Sequence, residues 1–214
     1  MSDNFYYYWM FNEGLPERIC DEIIQYGKDN KDRETTGIIG ELGQGRDIKK
    51  NPLSKKETKK LHKLRKSNVV WMDDPWIYKE IHPFIERANI EAEWNYQYDW
   101  SETCQFTKYE KGDYYDWHCD SWKVPYKQGN FQKGKIRKLS VTVCLSDSNS
   151  FKGGDLQFDY RDQHPKRPKP IHTVTNVSKG SIIVFPSWLW HRVTPVTKGI
   201  RHSLVIWSCG WPFK

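Results

Sequence analysis

The sequence lacks the marks of several protein classes. Its five cysteines are scattered and include no Cys-x-x-Cys pair, which argues against a disulfide framework or a zinc ribbon and suits a reducing compartment. The first residues lack a basic segment followed by an apolar one, so we expect no secretory signal and a cytoplasmic protein. The longest apolar stretch, around SIIVFPSWLW, is too short and too interrupted to span a bilayer, and we expect no membrane partner.

Positive charge and aromatic side chains are abundant instead. The formal net charge is +7, which raises the encounter rate with nucleic acids, acidic peptides or a dianionic metabolite, but which also serves ordinary solubility. Much of the excess lies in the tract Lys49 to Lys66, a pattern typical of a solvated helix face or loop. Aromatic residues make up 15% of the 214 residues; they favour strands and fill wide cores or binding clefts.

Two amphipathic helices are predicted in the first half of the chain. In residues 16–28, Pro16 suits the first helical turn and Gly27 the end. In residues 73–94, apolar residues recur at helical spacing, and Pro83 could kink the helix. We interpret residues 28–64, between these helices, as loop with short elements.

From about residue 94 the pattern changes to short aromatic and β-branched segments separated by turn residues. We place strands near residues 94–100, 102–109, 114–119, 138–145, 155–160, 174–177, 181–185, 190–193 and 201–207. The fold class is therefore mainly β with N-terminal helices, and a double-sheet jelly roll is one architecture that fits. We expect a single domain over 1–214, with 1–93 as a helical and loop layer and 94–214 as the core.

A His-x-Asp pair stands in the predicted strand YYDWHCDSW. Residues i and i+2 of a strand project from the same face, so His118 and Asp120 can point together into a barrel. One histidine and one carboxylate, joined by a distant histidine, form the facial triad of non-haem Fe(II) oxygenases. Taken alone the pair is weak, because a histidine beside an aspartate more often forms a simple hydrogen bond.

A second segment, SWLWHRVTPVTKGIRHSLVIW, supplies the distant histidine. We interpret Thr194 to Gly199 as the turn of a β-hairpin centred on Val196, which would place His191 opposite Arg201, with Ser203 on the same face. An inward guanidinium beside a metal-binding imidazole is costly unless an anion completes the site. A dicarboxylate would do so by chelating iron at one end and meeting the planar fork of Arg201 at the other.

These segments together resemble the 2-oxoglutarate/Fe(II)-dependent dioxygenase superfamily, in particular its prolyl-4-hydroxylase-like branch with small bacterial and phage members. YEKGDYYDWHCDS resembles the strand Tyr-x-x-Gly-x-x-Tyr-x-x-His-x-Asp of that family, and RKLSVTVCLSD with FKGGDLQF resembles the following strand and its Gly-Gly turn. KGSIIVFPSWLWHRVTPVTKGIRHSLVIW resembles the segment with the distal histidine and Arg-x-Ser. The resemblance covers about residues 103–207.

The resemblance implies a double-stranded β-helix in which His118, Asp120 and His191 bind Fe(II) and Arg201 binds the C5 carboxylate of 2-oxoglutarate. Tyr109 and Ser203 fall where the family often adds hydroxyl groups to that carboxylate site, although each also suits an ordinary strand position. The implied cofactors and co-substrates are Fe(II), 2-oxoglutarate and O2, and ascorbate is a further candidate. The implied reaction is hydroxylation of a substrate C–H bond with conversion of 2-oxoglutarate to succinate and CO2.

The substrate is left open by the sequence. A peptidyl proline is the first candidate; a free amino acid or other small molecule, and oxidative dealkylation of a nucleobase, are alternatives. A jelly-roll binding module without activity would not need His118, Asp120 and Arg201 together, and a zinc hydrolase would leave Arg201 unexplained. Residues 121–135 are a candidate mobile lid over the substrate. The oligomeric state is not predicted.

Overall fold

Antiparallel β-strands are the main secondary structure, and the described residues include three helices in the N-terminal half. The computed structural model describes residues 5–31, 34–37, 51–121, 124–162 and 170–213. The helices are α1 (Glu17–Asp29), α2 (Lys55–Leu64) and α3 (Pro75–Glu91). The strands are β1 (Trp9–Phe11), β2 (Thr35–Thr36), β3 (Arg65–Lys66), β4 (Asn68–Met72), β5 (Trp100–Ser101), β6 (Cys104–Tyr109), β7 (Tyr114–His118), β8 (Ile136–Cys144), β9 (Phe151–Gly153), β10 (Leu156–Asp159), β11 (Ile171–Thr173), β12 (Ile182–Pro186), β13 (Trp190–Val193), β14 (Val196–Gly199) and β15 (Arg201–Gly210). The predicted class, mainly β with N-terminal helices, is confirmed.

The strands form two main sheets and a small third one. The major sheet has the order β1-β12-β8-β15-β6-β4-β2, and β5 also pairs with β15. The minor sheet has the order β11-β10-β13-β7-β3, and β14 pairs with β9 alone. Because consecutive strands such as β12 and β13 lie in different sheets, the chain passes repeatedly between the two sheets, as in a jelly roll.

Side-chain alternation gives the major sheet one apolar and one polar face. On β15, Leu204 and Ile206 point into an apolar core together with the buried faces of α1 and α3. Arg201 and Ser203 occupy the alternate positions and are buried on the opposite face. Since that face is turned towards the minor sheet, polar groups line part of the space between the sheets.

The other part of that space is filled by aromatic and aliphatic side chains. Phe158 of the minor sheet packs against Phe185 of the major sheet, with ring centroids 5.0 Å apart. Leu156, Tyr160, Val174, Ile183 and Leu189 complete this second core. Buried polar side chains beside a packed apolar region are the arrangement expected of a buried ligand site.

Helix α2 lies where the sequence led us to expect loop. Ser54 and Glu57 form a reciprocal capping box at its start, in which the Ser54 side chain accepts from the Glu57 N–H. The helix buries only Leu61 and leaves its lysines exposed, which confirms the solvated-helix reading of that part of the basic tract. The signal Ser-x-x-Glu would have identified the helix start.

One detail of the first helix differs from expectation, while the helix predicted over residues 73–94 is present. Gly27 lies inside α1 instead of ending it, and a Cβ there would be only 2.5 Å from the Phe106 ring, so the glycine serves close packing of helix on sheet. Helix α3 continues past Pro83 to Glu91. None of the helices in the described ranges combines the length and apolar character needed to cross a membrane.

Several predicted strands shift or shorten. The strand expected at 94–100 is reduced to β5, and the one expected at 174–177 lies earlier, as β11. The short strands β1 to β4, β9 and β14 were not predicted, because two to five residues give too little alternation to recognise. The candidate lid overlaps the undescribed residues 122–123.

Candidate metal centre

Two neighbouring strands of the minor sheet place a pair of histidines side by side. His118 ends β7 and is the direct cross-strand partner of His191 on β13. The two imidazole centroids are 4.1 Å apart. Directly opposed residues of antiparallel strands have neighbouring Cβ atoms, which is why two residues distant in sequence meet here.

Asp120 follows β7 and completes a group of three donors. Its backbone N–H donates to the Ser187 carbonyl at 2.8 Å, and its Oδ2 accepts a 2.7 Å hydrogen bond from the Ser140 hydroxyl. Its carboxylate oxygens lie 3.9 Å from His118 Nε2 and 3.5 Å from His191 Nε2. The ligand atoms of all three side chains lie within 4.8 Å of one another, so one metal ion could contact all three.

Backbone carbonyls orient both imidazoles. His118 Nδ1 lies 2.7 Å from the Asp116 carbonyl oxygen, and His191 Nδ1 lies 2.9 Å from that of Leu189. In the tautomer that donates from Nδ1, each ring leaves Nε2 as an acceptor facing Asp120. This second-layer arrangement is typical of metal-binding histidines.

The electrostatic surroundings favour the protonation states that metal binding needs. Burial and the neighbouring His191 hold the pKa of His118 well below its usual value, so the ring stays neutral. For Asp120, burial alone would raise the pKa, but His191, His118 and Arg137 outweigh it and lower the pKa to about 2. A neutral imidazole and an ionised carboxylate are both ligand-competent.

Arg137 lies next to Asp120 and was not identified as a site residue in the sequence analysis. Arg137 Nη1 is 3.8 Å from Asp120 Oδ1, while its Nε and Nη2 donate to the Glu102 carboxylate at 2.7 and 2.6 Å. Its guanidinium also lies 3.8 Å from the centroid of the Trp207 ring. The alternation of polar residues along the otherwise apolar strand β8, which includes Ser140, was an available signal that this strand lines a polar site.

Arg201 reaches the same interior from the major sheet. It is 5% exposed, and its Nη1 is buried without a hydrogen-bond partner among the described residues. Its cross-strand partner is Tyr109, whose ring centroid lies 5.4 Å from the guanidinium carbon. Tyr109 and Ser203 are both buried nearby on β6 and β15. A buried cation with an unused donor is costly, and an anionic ligand would satisfy it.

The predicted hairpin between His191 and Arg201 is wrong, although both residues line the interior. β13 pairs with β10 and β7, whereas β15 pairs with β8, β6 and β5. The turn residues of the expected hairpin form β14, which pairs with β9 and carries the chain from one sheet to the other. His191 and Arg201 therefore approach the site from different sheets.

Tyr115, the second tyrosine of the family motif quoted above, was given no role by the sequence reasoning. The pairing of β7 with β13 shifts between His191, opposite His118, and Val193, opposite Tyr115, so β7 advances three residues while β13 advances two. Such a bulge re-aims side chains. It lets the Tyr115 ring stack on the His118 ring, with centroids 3.5 Å apart and planes at 12°.

Comparison with known protein sequences matches the strand-rich part of the chain. The family model described as the 2OG-Fe(II) oxygenase superfamily matches residues 104–209. A PKHD-type hydroxylase of Shewanella oneidensis is 33% identical over 105 residues, which are 48% of this chain and 40% of that protein. One from a Synechococcus species is 30% identical over 142 residues, 63% of this chain and 55% of the relative. The chain thus spans roughly half or less of the length of these relatives.

Solved structures match over nearly the whole chain. A viral collagen prolyl hydroxylase from Paramecium Bursaria Chlorella virus-1, in complex with 2OG, aligns with a TM-score of 0.62 and 18% identity, covering 98% of this chain and 99% of that one. A Pseudomonas putida prolyl-4-hydroxylase aligns with a TM-score of 0.58 and 17% identity, covering 95% and 92%. At such identities the likeness shows the fold, which is the predicted double-stranded β-helix.

Proposed function

Since the chain belongs to the 2OG-Fe(II) oxygenase superfamily, we propose that it is a dioxygenase that hydroxylates a substrate C–H bond, using Fe(II), 2-oxoglutarate and O2. The observation that carries the proposal is a coincidence of two features in one interior. Three metal-ligand side chains converge there, and a buried arginine offers an unused donor. A metal-binding protein without a dicarboxylate co-substrate would need the first feature but not the second.

The residues present fit both groups. His118 and His191 would hold Fe(II) through Nε2, and Asp120 would hold it through its carboxylate, leaving positions open for a chelating co-substrate. Arg201 would bind the C5 carboxylate of 2-oxoglutarate, with the hydroxyls of Tyr109 and Ser203 as further donors. When bound, iron and 2-oxoglutarate supply the oxidising power, and the products are the hydroxylated substrate, succinate and CO2.

The residues of the chain would orient the metal ligands and balance the charges of the bound iron and co-substrate. Iron and Arg201 would bring three positive charges, which Asp120 and the dianionic co-substrate would match with three negative ones, so the interior carries little net charge. Ser140 holds the Asp120 carboxylate, and the carbonyls behind Nδ1 hold both imidazoles. Burial of these groups excludes water from the space between the sheets.

For the substrate, we propose a peptidyl proline. The support is the family membership together with the overall likeness to proteins named as prolyl hydroxylases, one of them solved in complex with a peptide fragment of hypoxia inducible factor.

Ascorbate as a further cofactor and a cytoplasmic location belong to the same proposal; the location is supported by five free cysteines. A single domain is supported by the apolar core that α1 and α3 share with the major sheet.

The test is succinate formation by the purified chain with Fe(II), 2-oxoglutarate and O2, with and without proline-rich peptides. We expect peptide-stimulated succinate formation and a peptide product that has gained one oxygen atom by mass spectrometry. Asp120→Ala should abolish both signals. Asp21→Ala, which removes an exposed carboxylate paired with Lys179 at the surface, is the matched control. Absence of succinate from an iron-loaded chain under every substrate condition would contradict the proposal.

A further inference from the structure

The two histidines of the candidate metal centre are held in different ways. The His191 ring lies in an aromatic slot, with the Phe185 centroid 4.7 Å away at 66° and Phe158 beyond it. Within the described ranges, no phenylalanine ring packs against the His118 ring in this way. Its face is covered by the parallel ring of Tyr115 at 3.5 Å, and its side chain is 16% exposed, against 8% for His191.

Behind Tyr115 lies a second buried guanidinium, outside the group of predicted site residues. The Arg65 Cζ is 4.5 Å from the Tyr115 ring centroid, and Arg65 is only 2% exposed. The guanidinium, the phenol ring and the imidazole therefore form a stack of three groups that ends at a metal ligand. Arg65 and Tyr115 are also direct cross-strand partners, on β3 and β7.

The position of Arg65 is itself fixed from both sheets. Its Nε donates to the Ser67 hydroxyl at 2.8 Å, and its Nη1 donates to Gln105 Oε1 at 3.3 Å. Gln105 belongs to β6 of the major sheet, while Arg65 belongs to the edge strand of the minor sheet. Gly37 leaves the room that the guanidinium needs, since a Cβ there would lie 2.5 Å from Arg65 Cζ.

We propose that Arg65 is a positioning residue which, by holding the Tyr115 ring against His118, fixes the direction of the His118 nitrogen that binds the metal. The proposal rests on the proposed function in that His118 serves as a metal ligand. The Asp116 carbonyl fixes one atom of the imidazole, Nδ1. One fixed atom leaves the ring free to tilt, and a parallel ring against its face removes that freedom.

The physical argument concerns the geometry of His118 and not the stability of the fold. A guanidinium is attracted to the face of an aromatic ring, and the attraction is larger when both groups are desolvated. Arg65 thus keeps Tyr115 at its place in the stack. Partners in the second layer of metal sites affect metal affinity strongly, because a ligand that is oriented in advance loses less freedom on binding.

The experiment is a titration with Co(II) alone, followed by its visible absorption, on folded variants checked by circular dichroism. Arg65→Met and Tyr115→Leu should each weaken Co(II) binding by about tenfold and alter the absorption bands. Tyr115→Phe, which keeps the ring, should stay within about twofold of the unchanged chain. Arg87→Met is the matched control, since Arg87 also lies over an aromatic ring, Phe11, but on α3.

A double-mutant cycle decides whether Arg65 acts through Tyr115. If it does, adding Arg65→Met to Tyr115→Leu costs little further Co(II) affinity. Additive losses, or an Arg65→Met variant that folds and binds Co(II) with unchanged affinity and spectrum, would overturn the proposal. If Arg65→Met does not fold, the comparison of Tyr115→Leu with Tyr115→Phe carries the test, and equal affinities there would overturn it. Failure of the unchanged chain to bind Co(II) would instead count against the proposed metal centre itself.

Discussion

Replacement of Arg201 by methionine should separate the stability of the fold from binding of 2-oxoglutarate. The buried Nη1 has no partner in the described structure, and an unsatisfied buried donor costs roughly 1–3 kcal/mol. Methionine keeps the stem that packs where Gly154 leaves room and gives up the contact of the guanidinium with Tyr109, worth about 0.5–1 kcal/mol. The free energy of unfolding of the ligand-free protein should therefore be unchanged or raised by up to ~2 kcal/mol.

Binding of the co-substrate should move in the opposite direction. Each hydrogen bond from a charged donor contributes about 1.5–3 kcal/mol, so loss of the guanidinium should weaken 2-oxoglutarate binding by about 100-fold or more. Calorimetric titration of the Co(II)-loaded protein measures this loss, and thermal unfolding without ligand measures stability, at about 2–4 °C per kcal/mol for a chain of this size.

Arg87→Met is again the matched control, because the Arg87 guanidinium carbon lies 5.4 Å from the Phe11 centroid, the same distance as Arg201 from that of Tyr109. It should leave 2-oxoglutarate binding unchanged. The reasoning is refuted if Arg201→Met binds 2-oxoglutarate within about threefold of the unchanged chain. It is also refuted if the ligand-free variant is destabilised by more than ~2 kcal/mol, since Arg201 would then act as a structural residue.

Three further outcomes are expected. Asp120→Ala should abolish Co(II) binding and turnover, as measured by titration and succinate release; measurable turnover would show that the carboxylate is not a ligand. Ser140→Ala removes the 2.7 Å hydrogen bond to Asp120 and should weaken Co(II) binding by about tenfold. Unchanged affinity would show that the hydrogen bond from the Asp120 N–H to the Ser187 carbonyl is enough to hold Asp120 in place. The half-buried His202 loses solvation and lies near Lys28 and Lys108, and these effects lower its pKa from 6.5 to about 4. The folded protein therefore keeps this ring neutral while the unfolded chain takes up a proton below about pH 6.5, so its contribution to stability is lost as the pH falls from there towards 4. His202→Phe, which keeps the stack on Phe106, should reduce the loss of stability between pH 7 and pH 5 by up to about 2 kcal/mol, and an identical loss in both proteins would contradict this.

The three candidate ligand side chains named from the sequence do lie close together, but the chain path that brings them together was not predicted. His118 and Asp120 were recognised from a spacing of two, and the bounds of β13 at 190–193 agree with the expectation. The sequence analysis paired β13 with β15, which is wrong. Turn residues such as Pro195 and Gly199 indicate where the chain changes direction, but they do not indicate which sheet the next strand joins. Local pattern contains no information about β14 pairing with β9.

The rule that side chains alternate between the two faces of a strand does not hold at the bulge in β7. Residues three apart should lie on opposite faces of a regular strand, which places Tyr115 away from His118. The shifted register of β7 reverses this and stacks the two rings. A bulge adds a residue to one strand only, so it is visible in the pairing of two strands and not in the sequence of one.

The matched family region does not contain every residue that contacts the candidate metal centre or its neighbours. That region begins at residue 104, yet the stack behind His118 begins with Arg65 on β3. Arg65 is held in turn by Gln105 at the start of the matched region. The N-terminal layer thus links the edge strand of the minor sheet to the major sheet through the contact of Arg65 with Gln105. Residues 104–209 alone would keep all three ligands but would lose the group that steadies one of them, and would expose the apolar face that α1 and α3 cover. We therefore expect that the metal site and the N-terminal layer cannot be separated without loss of metal affinity.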